Sequence, residues 1–283
     1  MKTWSSVRRD AVAVWNMLKT REMEIGPLKE GFAVQMPQPK NEVIPRLPCR
    51  GLVLAPSNSG KTNAVVTMLT DPRFYRGMFT RIYWCSPTAS VDPALDPLRR
   101  YVETLQDQKE DPTFHDTVDV PFLQSRVDRA KKVMETLKTR KIEQKGFHTM
   151  IVLDDLADVK RGLPQIARFV DSLFVKGRHF GVSCVLCTQK LKLPLISPTV
   201  RVNCTFLMAF RLRAWHDLWD GLIQEYSAIV SKEQLYQMYL DSVREPFSFL
   251  YINLLAKTAD EMFYKRFTHQ FEVDDGDENA EET

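Results

Sequence analysis

Gly51-Leu52-Val53-Leu54 runs apolar into Ala55-Pro56-Ser57-Asn58-Ser59-Gly60-Lys61-Thr62, and no other stretch constrains the fold of this chain as tightly. A short apolar run that breaks into small and turn-forming residues and re-enters order at Gly-Lys-Thr predicts a buried strand, an anion-cradling loop and a helix, in that order. Successive backbone N–H groups in such a loop, with the positive end of the following helix, form a concave site for the phosphates of a nucleotide. The expected cradle is Pro56, Ser57, Asn58, Ser59, Gly60, Lys61, Thr62 and Asn63. Lys61 is placed to reach the β and γ phosphates of ATP, and the Thr62 hydroxyl is a candidate ligand of Mg²⁺. The usual pattern opens on glycine, whereas this loop opens on Ala55, which keeps the turn only if that position stays out of the left-handed region.

A second apolar run, Met150-Ile151-Val152-Leu153, ends in Asp154-Asp155. A carboxylate at the carboxyl end of a buried strand can hold Mg²⁺ beside phosphates bound by a neighbouring loop, so Asp154 joins Thr62 as a candidate metal ligand. Further buried strands are expected at Arg81 to Ser86, Gly181 to Thr188 and Cys204 to Phe210, and an edge strand at Phe247 to Leu254. Helices are expected at Lys61 to Leu69, Leu98 to Gln106, Pro121 to Gln144, Pro164 to Lys176, Trp215 to Tyr226, Lys232 to Val243 and Thr258 to Phe267. Strands alternating with helices mean an α/β fold, a mostly parallel sheet covered on both faces. Ligands of such sheets lie beyond the carboxyl ends of the strands, and the loop 57–62, Asp154, Asp155 and Gln189 all fall at such ends. Asp155 or Gln189 would then position the attacking water.

No apolar run is long enough to span a membrane, and Met1 to Arg9 is too polar for a secretory signal, so a reducing compartment is expected. The five cysteines agree, most of them lying in or beside apolar runs. Cys184 and Cys187 form a CxxC, but three residues apart on a strand they face opposite ways and cannot share a metal. Ser5 or Ser6 can cap an N-terminal helix through about Arg21, and five prolines between Gly26 and Pro48 keep that segment mostly extended. The net charge of +3 is unevenly spread: residues 272–283 hold seven acids and no Lys or Arg, leaving +10 on the rest. A basic body suits a polyanionic partner, and the acidic tail reads as a disordered end or as an intramolecular decoy for DNA. The helix from Pro121 carries a basic face (Arg126, Arg129, Lys131, Lys132, Lys138, Arg140, Lys141, Lys145), either a solvated surface or one facing DNA.

The order of these features, together with Gly177-Arg178-His179 before a strand ending Thr188-Gln189, then Val200-Arg201-Val202-Asn203-Cys204 and Phe247-Ser248-Phe249-Leu250-Tyr251-Ile252-Asn253, resembles the FtsK/HerA superfamily of DNA-pumping P-loop ATPases. More narrowly, it resembles the genome-packaging branch of poxviruses, other large DNA viruses, virophages and polinton-like elements. The resemblance spans about Gly51 to Phe271. It implies an ASCE-type, RecA-like ATPase domain over 49–271, preceded by a helical and Pro-rich extension (1–48), closed by C-terminal helices and followed by the acidic tail (272–283). It further implies Lys61, Asp154, Asp155 and Gln189 as catalytic residues, with Asp155 standing where related ATPases carry the longer Glu. An arginine acting on a neighbouring subunit's nucleotide is implied as well, Arg178 first and Arg201 second. The implied activity is ATP hydrolysis with Mg²⁺ in a pentameric or hexameric ring that moves double-stranded DNA without regard to sequence, docked on a capsid or portal-type protein. The implied location is the host cytoplasm at the assembly site, or the virion. DNA contacts are expected from the basic helix or from Lys190 and Lys192. Two other functions fit the motifs: an assembly protein gated by ATP binding alone, and a P-loop kinase of a small substrate.

Overall fold

The computed structural model describes residues 34, 36–105, 108, 111–141, 147–155, 162–191 and 196–273. The expected N-terminal helix, Lys145, Lys192 and nearly all of the acidic tail lie outside them. Among the described residues a nine-stranded sheet runs in the order β3-β2-β4-β5-β1-β6-β7-β8-β9. β1 (Arg50–Leu54), β2 (Arg81–Cys85), β4 (Thr149–Asp154), β5 (Val182–Thr188) and β6 (Phe206–Phe210) are buried at every position. They pair in parallel, as uninterrupted apolar strands covered on both faces do. β3 (Phe114–His115) adds a two-residue parallel edge to β2.

Side chains alternate between two cores. Leu52 and Leu54 of β1 join Cys184 on one face, under α3 (Val120–Arg140) and α4 (Leu163–Lys176). Val53 and Ala55 join Cys187 on the other, under α1 (Lys61–Thr70) and α2 (Asp96–Val102). The two thiols of the CxxC thus point to opposite faces, both buried and free, and no cluster of metal-ligating side chains occurs among the described residues. α3 buries Leu123, Val127, Ala130, Met134 and Leu137, at alternating spacings of four and three that repeat on one helix face. Asp119 caps its start by accepting from the Phe122 N–H at 3.0 Å. The expected helix at 215–226 is a π-helical run, Asp217–Ile223, that continues into Gln224–Tyr226.

The C-terminal part departs from expectation at two places. β7 (Phe249–Asn253) is not an edge: it pairs antiparallel with β6 on one side and β8 (Phe263–Lys265) on the other. The segment expected as a helix at 258–267 is instead β8 and the turn into β9 (His269–Gln270). Met262, Phe263 and Phe267 have helix-like spacing, yet Phe263 packs in one core and Tyr264 in the other, a period of two imposed by the free edge of β7. The Pro-rich segment ahead of β1 is also part of the core. Ile44 and Leu47 are buried, and the Pro45 and Val43 carbonyls accept from the Tyr75 and Tyr251 hydroxyls at 2.8 and 3.0 Å.

His148, at the start of β4, is wholly buried beside Phe79, with its Nε2 3.2 Å from the Ser183 hydroxyl. Burial pushes its pKa down to about 3, so the folded state holds a neutral imidazole where the unfolded chain takes up a proton below about 6.5. Its contribution to stability is complete above that value and is lost progressively as pH falls toward 3. Between pH 7.5 and pH 5, His148 alone should cost about 2 kcal/mol. Urea unfolding of wild type and His148→Asn at both pH values checks this: the variant should lose about that much less on acidification, and parallel losses would assign the acid sensitivity elsewhere.

Candidate functional site

β1 delivers the chain to the cleft through Ala55, which continues the strand: its N–H donates to the Thr188 carbonyl at 2.9 Å and the residue is fully buried. The left-handed positions of the loop fall on Asn58 (φ 62°) and Gly60 (φ 90°) instead. The missing first glycine is thereby accommodated, because the ladder to β5 holds position 55 extended. Ser59 closes the loop by donating from its hydroxyl to the Pro56 carbonyl at 2.7 Å. α1 starts at Lys61 directly after Gly60, so the helix N-terminus faces the loop.

β4 carries the carboxylates to the same place. The Lys61 ammonium lies 3.4 Å from Asp154 Oδ1 and 3.8 Å from Asp155 Oδ2, and the Thr62 hydroxyl donates to Asp154 Oδ2 at 3.2 Å. Burial by itself would depress the Lys61 ammonium, but the Asp154 and Asp155 carboxylates outweigh it and hold the pKa above the ordinary lysine value. Burial pushes the Asp154 carboxyl up, and Lys61 draws it part of the way back. Asp155 leaves β4 in a left-handed turn (φ 56°) and is partly exposed. Gln189, one residue beyond β5, donates through Nε2 to Asp155 Oδ1 at 3.1 Å and to the Ser57 hydroxyl at 3.3 Å. This one amide thus bridges the loop of β1 and the acid of β4.

A cleft of about 660 Å³ opens over these groups. The structure brings Ser57, Asn58, Gly60, Lys61, Thr62, Asn63, Asp154 and Asp155 to its wall, as expected from sequence, and adds Ser86, Thr88, Asp92 and Phe247. Ser86 and Thr88 follow β2 at its carboxyl end and obey the same rule that singles out Gln189. Phe247 carries no such signal.

The donor set fits Mg²⁺. Asp154 Oδ1 is buried and accepts no hydrogen bond, and the Thr62 hydroxyl oxygen lies beside the same carboxylate. A hard cation takes oxygen ligands of this kind.

Arg178 and Arg201 are not brought to this cleft. Arg178 lies in the turn before β5, an exposed residue whose guanidinium donates to the His179 ring at 3.3 Å. Arg201, in α5 (Pro198–Val202) before β6, is paired to Glu225 at 3.0 Å and donates to the Ile196 carbonyl. Both precede strands that run parallel to β1, so they lie at the end of the sheet opposite the site, about 20 Å away across strands of five to seven residues. Neither can act on the nucleotide of its own chain.

Residues 115–245 match the family model described as Poxvirus A32 protein, a span that contains Asp154, Asp155 and Gln189 and begins after the phosphate loop. No curated protein matches the chain. Among solved structures, the conjugation coupling protein TcpA of pCW3 with ATPγS aligns at 16% identity and a TM-score of 0.50, over 80% of this chain and 60% of that one. The genome packaging NTPase B204 of Sulfolobus turreted icosahedral virus 2, in complex with ATPγS, aligns at 14% identity and 0.46, over 77% and 95%. EssC ATPases 2 and 3 of Geobacillus thermodenitrificans align at 14% and 0.44, over 62% and 34%. The chain therefore spans about a third of the EssC structure it matches. The resemblance to the poxvirus branch is borne out over residues 115–245, which are similar to the family described as Poxvirus A32 protein.

Proposed function

We propose that this chain is an ATP-hydrolysing motor that translocates double-stranded DNA and packages a viral genome. The observation that carries the reading is the convergence of Lys61, Thr62, Asp154, Asp155 and Gln189 from three adjacent strand ends on one cleft. The loop and the α1 N-terminus bind the phosphates, and Lys61 neutralises charge on the transferred group. Thr62 and Asp154 would hold Mg²⁺, which supplies charge neutralisation across the phosphates. Asp155 orients the attacking water, reached through the Gln189 amide that also touches the loop. A shorter side chain than Glu leaves room for a water between Asp155 and the reacting phosphorus. Gln189 leads directly into the exposed Lys190, so a change at the phosphate can reach a DNA-facing loop through one peptide.

Arg178 is the better candidate for a finger acting on the neighbouring subunit of a homo-oligomeric ring, because Arg201 is already engaged by Glu225. The family match favours the motor over an ATP-gated assembly protein or a small-substrate kinase. The basic face of α3 is the proposed track for phosphate contacts: Lys132, Lys138, Arg140 and Lys141 are exposed, whereas Arg126 is tied to Asp111 at 3.3 Å.

Phosphate release with and without double-stranded DNA, over a salt series, tests the proposal. DNA should stimulate turnover, and the stimulation should fall steeply with salt as the gain from releasing condensed counterions shrinks. Lys138→Glu with Arg140→Glu should leave DNA-free turnover intact and make the salt dependence shallower, by up to about two in the log–log slope. Full turnover without DNA, at every salt concentration, would remove the translocation reading.

A further inference from the structure

Phe247 is an aromatic ring on the wall of the cleft that phosphate chemistry does not use. It is 69% exposed and sits at φ 58°, a left-handed conformation that costs a bulky residue of order 1 kcal/mol or more. The ring nevertheless lies directly against the phosphate loop. A Cβ added to Gly60 would meet Phe247 Cδ1 at 3.1 Å, so the absence of a side chain at 60 is what lets the ring approach.

The conformation is braced. Arg266 donates to Glu245 Oε2 at 3.0 Å and to the Ser248 hydroxyl at 3.2 Å, and its N–H donates to the Phe249 carbonyl at 2.9 Å. These bonds tie down the chain on both sides of Phe247. Arg266 itself is left-handed (φ 57°), so two of the chain's uncommon conformations serve to hold one exposed aromatic ring.

Behind the ring lies a second, mainly apolar cavity of about 280 Å³. It shares Gly60, Asn63 and Phe247 with the phosphate cleft and continues along α1 past Ala64 and Thr67. Phe74, Phe249 and Phe267 close it, with ring centroids 4.9 and 5.2 Å apart between neighbours. An apolar cavity that adjoins a phosphate cradle through a shared helix turn, with an aromatic ring at the junction, suits a flat heterocycle attached to the phosphates.

We infer that Phe247 and this cavity form the base subsite of the nucleotide: the purine ring stacks on Phe247 while its triphosphate lies in the loop 57–62. This rests on the proposed ATP reading and adds to it where the base is held. Recognition there works through stacked area, since base–aromatic stacking contributes about 1 to 3 kcal/mol per base.

The test compares Mg²⁺-ATP with inorganic tripolyphosphate, which carries the phosphates and no base. Phe247→Ala should weaken ATP binding by roughly ten- to a hundredfold and leave tripolyphosphate affinity unchanged, and Phe247→Tyr should keep ATP affinity within about threefold. In Phe247→Trp, indole fluorescence should change on adding ATP and stay flat on adding tripolyphosphate. Equal weakening of both ligands in Phe247→Ala would mean that the ring only shapes the loop, and unchanged ATP affinity would mean that the base lies elsewhere; either overturns the subsite while the phosphate cradle stands. If wild type binds neither ligand, the ATP reading fails as well.

Discussion

Lys61→Ala should lower ATP turnover by at least about a hundredfold, the scale on which a single charge-stabilising donor contributes to a transition state. Among the described residues, the ammonium is the only cation placed within 4 Å of both Asp154 and Asp155. On the proposed reading, its loss removes the group that meets charge on the transferred phosphoryl and leaves Asp154 and Asp155 facing the nucleotide without a counter-charge. Ground-state binding should suffer less, because the loop N–H groups and the helix N-terminus remain, so the defect should appear mainly in kcat and only modestly in KM. Lys61→Arg should not restore activity: the guanidinium is a broad planar fork, and the position it must fill is a compact point between two acids. Steady-state phosphate release, with a thermal melt to confirm folding, checks this. A folded Lys61→Ala protein with turnover within about threefold of wild type would mean that the loop is not the phosphate site.

How much of this site is legible in the sequence follows from where its residues sit. Strands buried on both faces must be apolar along their whole length, so β1, β4 and β5 announce themselves, and a polar residue ending such a run stands out. Asp154, Asp155 and Gln189 are of that kind, while Lys61 and Thr62 are marked by the small-residue loop that follows β1. Ala55 poses a question that only pairing can answer, since its N–H to the Thr188 carbonyl is a contact between residues far apart in the chain. β8 misleads for a related reason: a stretch of mixed polarity has no period strong enough to resist the open edge of β7. Phe247 misleads for the opposite reason, reading as the start of an edge strand that in the structure begins only at Phe249. An exposed aromatic in a turn has no periodicity to betray it, and its meaning comes from Gly60, Arg266 and Phe267, none of which is its neighbour in sequence.

Gly51→Ala should destabilise the fold by about 3 kcal/mol or more, the upper range for overpacking a tight core. On chain entropy alone the change ought to stabilise by up to about 1 kcal/mol, because glycine is a poor strand residue. Steric contact reverses the sign. Gly51 pairs with Phe206 across the β1–β6 ladder, and the ring lies over it so closely that a Cβ would stand 2.1 Å from Cζ and 2.5 Å from Cε1. Phe206 is itself fully buried, with Tyr251 next to it at a centroid distance of 6.0 Å, and the Tyr251 hydroxyl is anchored on the Val43 carbonyl. The ring cannot swing away without moving β7 or the segment ahead of β1. Since β1 leads directly into the phosphate loop, nucleotide affinity should fall along with stability. Phe206→Leu should cost about 1 to 3 kcal/mol in the wild-type background. In the Gly51→Ala background it should cost much less, or nothing, because the shorter side chain makes room for the new methyl. A double-mutant cycle by urea unfolding measures that coupling. Strictly additive losses would show that the ring is not what glycine at position 51 accommodates.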